Sequence, residues 1–135
     1  MAVTTPQPQQ YCLRWNNHRN NLLTVLDQLL QTEAFCDVTL ACENASIKCH
    51  KMILSACSTY FQSLFMENTC EHPIVFLKDI KIQEIKVILD YMYKGEVNVA
   101  QEELPGQFAH HPVNHSGYIF VDMDILFFFE YLFNP

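Results

Sequence analysis

Hydrophobic positions change their period several times along the chain, and each change marks an element. Tyr11-Cys12-Leu13-Arg14-Trp15 is a short β-prone run of alternating character. Asn16-Asn17 follows as a helix N-cap region. From Asn20 to Gln31 the spacing becomes helical, with Leu22, Leu23, Leu26, Leu29 and Leu30 in a stripe that Val25 widens. Leu22, Leu26 and Leu29 are assigned to one face, with Leu23 and Leu30 on its flank. Such a stripe is broad for a helix resting on a single core, so two burial partners are expected.

Alternation returns from Asp37 to Cys42, with Val38, Leu40 and Cys42 on one face. Glu43-Asn44 supplies a turn, and Ala45 to Cys49 returns as the second arm of a hairpin. His50 to Ala56 predicts a short helix, and Ser58 caps another with Tyr60, Phe61, Leu64 and Phe65 turned inward. The unbroken run Ile74-Val75-Phe76-Leu77 after Pro73 predicts a strand buried on both faces. Ile82, Ile85, Ile88, Leu89 and Met92 mark an amphipathic helix stopped by Gly95, with Lys94 in its last turn. Glu96 to Val99 is a further strand candidate. The order is α+β, a small sheet flanked by a cluster of short helices.

Composition narrows the function. At 135 residues the chain accommodates one domain, and with half its residues apolar it forms a core without disulfide or metal. A formal charge of -7, with no run of Lys or Arg, argues against direct nucleic-acid binding. Residues 1–9 form a polar, Gln- and Pro-containing leader, expected to be disordered; it lacks the basic and apolar regions of a secretory signal, so a reducing compartment is expected. The six cysteines contain no Cys-x-x-Cys pair and match no zinc spacing, which makes them small buried hydrophobes.

Several blocks in register resemble the BTB/POZ domain, in its insect transcription-factor branch of the tramtrack, bric-a-brac and longitudinals-lacking type. They are Gln10 to His18, Cys36 to Ala41, His50 to Ser58 with Tyr60-Phe61, His72-Pro73-Ile74, Leu77-Lys78-Asp79, and Tyr91 to Val99. The resemblance runs from about residue 10 to about residue 105. It implies a BTB/POZ fold whose first long helix packs against that of a second copy, while the N-terminal strand is exchanged between partners. The implied dimer interface is Tyr11, Cys12, Leu13, Arg14 and Trp15 with Leu22, Leu23, Leu26 and Leu29; Trp15 would anchor the exchanged strand. Asp37 and Lys51 match the family's charged pair in the dimer-facing pocket, read either as partner recognition or as a structural ion pair. The partners implied are the chain itself, related BTB proteins in heteromeric or higher assemblies, and co-regulators, within a nuclear, developmental transcription regulator. Other branches serve as substrate adaptors of cullin ubiquitin ligases, for which Phe65-Met66-Glu67 is a formal hydrophobic-x-Glu element.

Catalytic and cofactor readings find little footing. His50 beside Cys49 sits where a strand meets a helix, the setting of a hydrogen-bonded structural histidine. His110, His111 and His115 have chelate-like spacing but no neighbouring Cys or acid. Three glycines do not make a phosphate loop, and no nucleophile elbow is present. The expectation is a chain that is no enzyme, with no cofactor and no metal. Glu102 and Glu103 read as a solvated helix start.

The family pattern breaks after Gly106. Residues 10–106 are assigned to the BTB/POZ domain without its last helices, and 107–135 to a divergent aromatic-rich tail, as in a truncated isoform or a reading frame continuing into an intron. Tyr118 to Phe133 is 16 residues long and contains Asp122, Asp124 and Glu130, too short and too charged to span a bilayer. It is either a makeshift helix over the core or an aggregation-prone tail. Such a product would act by engaging longer relatives.

Overall fold

The computed structural model describes residues 7–98 apart from Asp79. Val99, Glu102, Glu103, the three tail histidines and the whole of 107–135 lie outside the described residues. The element order is α1 (His18–Gln31), β1 (Val38–Cys42), β2 (Ala45–Cys49), α2 (Lys51–Cys57), α3 (Thr59–Glu67), β3 (Ile74–Phe76) and α4 (Ile82–Lys94).

The three strands form one sheet in the order β2-β1-β3. β1 and β2 make the expected hairpin, antiparallel, with Val38 opposite Cys49 and Leu40 opposite Ile47. β3 returns parallel to β1, pairing Thr39 with Ile74 and Ala41 with Phe76. Alternation then sends Val38, Leu40 and Cys49 to the covered face, where all three are fully buried. Leu54 from α2, Phe61 from α3, and Ile85, Ile88, Leu89, Met92 and Tyr93 from α4 complete the core.

Local chemistry sets the helix ends. The Ser58 side chain accepts from the Phe61 N–H at 3.3 Å and starts α3. Gly95 closes α4 at φ 79°, donating to the Tyr91 carbonyl at 2.8 Å. α1 ends differently: Ala34 N–H reaches Leu29 O at 2.9 Å and Glu33 N–H reaches Leu30 O at 3.2 Å, the Schellman pairing, with Glu33 at φ 55° where glycine is the easier residue. Phe35 follows at φ 59°, so two side-chain-bearing residues hold left-handed backbone in one turn.

In the single chain Tyr11–Trp15 pairs with no other described strand, and Trp15 O accepts from His18 N–H. Three expectations need correction. Among the described residues β3 is covered on one face only and is the sheet edge, with Ile74 and Phe76 71% and 59% exposed while Val75 and Leu77 turn inward. Tyr60 points outward, since Phe61 alone fills the position facing the core. Residues 96–98 have no strand pairing.

Candidate association surface

α1 divides its apolar residues between two sides. Leu23, Leu26 and Leu30 follow an i, i+3, i+7 spacing toward α4, with Leu30 buried and Leu26 packed on the core. Lys94 of α4 and Asp27 of α1 lie 3.8 Å apart on that side. Leu22, Val25 and Leu29 make the second row at the same spacing. Leu26, half-buried against the core, lies between the two rows and also borders the face of Leu22 and Leu29. Leu22 and Leu23 remain 46% and 42% exposed, and Leu29 is half-buried. Among the described residues the broad leucine stripe thus has one burial partner and one side left open.

The segment leading into α1 is open as well. Tyr11, Leu13 and Trp15 are exposed, Leu13 almost completely at 96%, and Cys12 and Arg14 are exposed with them. The Trp15 ring meets the His18 ring in a tilted contact, 5.0 Å between centroids. At the far end of α1, Phe35 is 84% exposed on its left-handed backbone. Phe35 and exposed Met52, which follows Lys51 in α2, were not among the residues expected here. A single aromatic between polar neighbours gives no periodic signal, so only backbone geometry reveals Phe35.

Asp37 and Lys51 meet, though not as an ion pair of side chains. Asp37 Oδ1 accepts from the Lys51 backbone N–H at 2.7 Å. Lys51 is the first residue of α2, where N–H groups lack intrahelical acceptors and the helix dipole favours a carboxylate. The Lys51 ammonium instead donates to the Cys70 carbonyl at 2.7 Å, tying α2 to the loop before β3. Asp37 is thus a remote cap on α2.

Behind this corner, His50 is buried and fully engaged. Its Nε2 lies 2.8 Å from the Ala34 carbonyl, which only accepts, so Nε2 carries the proton. Nδ1 then accepts from the Tyr93 hydroxyl at 2.5 Å, and that oxygen in turn accepts the His50 backbone N–H at 3.0 Å. Burial, with Cys36 and Asp37 adding, pushes the Cys49 thiol up to about 12. Burial first, then Cys49, raises the Tyr93 phenol. Both stay protonated at neutral pH and neither serves as a nucleophile. Among the described residues, no three His, Cys, Asp or Glu side chains converge as metal ligands, and no helix is long and apolar enough to cross a membrane. In the hydrophobic-x-Glu element, Phe65 stacks on Phe61 at 5.7 Å and packs against the core instead of projecting as an anchor.

Comparison with known proteins agrees with this geometry. The BTB/POZ domain family model matches residues 26–111. The chain is 60% identical over 97 residues to the sex determination protein fruitless of Drosophila melanogaster, covering 72% of this chain and 10% of that protein. It is 56% identical over 96 residues to bric-a-brac 2 (71% and 9%) and 58% identical over 96 residues to the tramtrack alpha isoform (71% and 12%), both from the same organism. The chain spans about a tenth of the length of these relatives. Among solved structures it resembles the BTB domain of zebrafish PATZ1, with a TM-score of 0.60 and 29% identity, covering 69% of this chain and 76% of that one.

Proposed function

The chain belongs to the BTB/POZ family, and from that membership we propose that it is a pairing module of a nuclear transcription regulator, joining copies of itself and related BTB chains. One observation carries the reading: α1 and the segment before it present Leu13, Trp15, Leu22, Leu23 and Val25 to solvent, outside the core of the described residues. Exposed apolar surface gathered on one side of a soluble domain marks an interface. Tyr11–Trp15 has strand character and no strand neighbour, so a partner's sheet supplies what the single chain lacks. A two-fold arrangement sets the outer row of α1 against its own image. The kinship with fruitless, bric-a-brac and tramtrack supports the regulatory and nuclear setting, where pairing with longer relatives would place this domain on their complexes.

Size-exclusion chromatography with light scattering tests the pairing. The expected species is a dimer or a multiple of one, and replacing Leu22 and Leu23 by Asp returns it to monomer. A monodisperse wild-type monomer defeats the proposal.

A further inference from the structure

Charge is segregated along the chain. All 15 acidic residues lie from Asp27 onward, while residues 1–26 hold none and carry both of the chain's arginines, Arg14 and Arg19. The fold brings the two together. Arg14, Trp15, Asn16, His18, Arg19 and Asn20 line one open cleft of about 610 Å³, within the range of ligand sites. Among the described residues neither guanidinium has an ion-pair or hydrogen-bond partner, and no carboxylate lines the cleft. Trp15 stands 61% exposed between them, its ring tilted on that of His18. α1 begins at the same place. Its Asn17 N-cap makes no side-chain hydrogen bond, and its first turn holds no acidic residue. The N–H groups of that turn and the positive end of the helix dipole therefore favour an anion here too.

We propose that this cleft binds a short acidic peptide of a partner protein, one that carries at least two carboxylates beside an apolar side chain. Each guanidinium holds a carboxylate through paired N–H donors, a geometry that an ammonium does not offer. The Trp15 ring covers the apolar side chain, and the amides of Asn16 and Asn20 supply donors and acceptors for the peptide backbone. A nucleic acid suits the site less well. Its charges continue along the strand, whereas beyond these two cations it meets a chain of net charge -7.

The lining residues fall between positions 14 and 20, so the cleft belongs to one chain and goes with the segment whichever sheet the segment joins. The proposal therefore does not rest on the pairing through α1. Because the groups are exposed, salt screens them, and affinity is highest at low ionic strength.

The test uses the full chain and the fluorescence of Trp15, the chain's single tryptophan, which reports on the cleft directly. The probe is a hexapeptide alternating glutamate and leucine, blocked at both ends, with its glutamine counterpart as control. A saturable change with a dissociation constant on the order of 10⁻⁴ M is expected at low salt, with binding at least about tenfold weaker for the glutamine peptide. Arg14→Gln with Arg19→Gln is expected to abolish saturation below about 1 mM. Arg14→Gln alone lies outside α1 and spares the helix if the double variant fails to fold; it is expected to weaken binding about threefold. Light scattering on the same samples is expected to give the wild-type mass for both variants. Absence of saturable binding to the wild type, equal binding of the two peptides, or wild-type affinity in the variants overturns the proposal. Variants that lose mass together with affinity assign the arginines to the pairing interface and overturn it as well. So does an oligothymidylate that binds more tightly than the glutamate peptide, which marks a general polyanion site.

Discussion

Replacing Leu22 and Leu23 by Ala tests the pairing surface quantitatively. The two side chains are 46% and 42% exposed in the single chain, so the fold already holds a little over half of each. Full burial of a Leu is worth about 1.5–3 kcal/mol, which leaves about 1 kcal/mol per side chain for a partner to gain. Across a two-fold each position counts twice, and Ala retains part of the surface, so the double substitution removes about 3 kcal/mol of association. That corresponds to weakening of the dimer by on the order of 10²-fold. The assay is sedimentation equilibrium over a concentration series, with circular dichroism confirming that helix content is retained. Part of the Leu23 packing toward the core is lost as well, so a modest fall in Tm is expected beside the change in Kd. A dissociation constant that moves by less than about threefold, well under 1.4 kcal/mol, while the fold stays native refutes the assignment of Leu22 and Leu23 to the interface.

Four further substitutions probe the scaffold. Tyr93→Phe leaves the buried His50 N–H and Nδ1 without their shared partner and should destabilise the domain by about 2–4 kcal/mol in chemical denaturation, whereas Tyr60→Phe at an exposed site should change it by less than about 0.5 kcal/mol. Gly95→Ala should cost about 1 kcal/mol by the same measurement; no atom lies within 4 Å of the added methyl, so the cost is that of a left-handed backbone alone. Cys49 has a folded value raised from 9.0 to about 12, so its contribution to stability is intact below pH 9 and fades as pH rises toward 12. Melting temperature should fall over that window, and less steeply in Cys49→Ala; equal slopes would contradict the burial of a neutral thiol.

Elements whose cause is local were legible in the residues themselves. Ser58 three positions before Phe61, and Gly95 after Lys94, announce helix ends because capping depends on a side chain or on its absence. Val38, Leu40 and Cys49 reached the core as their alternation predicts. The residues that misled depend on neighbours distant in sequence. Ile74 to Leu77 is apolar throughout, and nothing in such a run states that only one face is covered. Leu26 and Leu29 look equivalent in the sequence, yet of the two only Leu26 packs against the core of the described residues. The pairing of Asp37 was visible as chemistry but not as geometry: the donor is a backbone N–H, which every residue carries, and the Lys51 side chain that suggested an ion pair is engaged elsewhere. Phe35 was invisible because phenylalanine is not a residue that signals left-handed backbone.

The chemistry of the two open surfaces bears on whom the chain joins. The outer row of α1 is Leu22, Val25 and Leu29, all aliphatic, with no charge or buried polar group to punish a wrong neighbour. A relative that is 53–60% identical needs only aliphatic side chains of similar size at these positions to fit as well as the chain's own copy. In the proposed pairing, affinity for self and affinity for kin would have the same source in this row, and mixed pairs would form as naturally as homodimers. Discrimination has to come from groups with direction. On this side of the molecule those are exposed Arg14 and Arg19, which flank the segment and the start of α1 in a chain of net charge -7. Long-range repulsion between two such chains is eased where these guanidiniums face the partner's carboxylates. In the proposed pairing the aliphatic row would set how tightly partners are held, and Arg14 and Arg19 would set how fast they meet and which surface charges they accept.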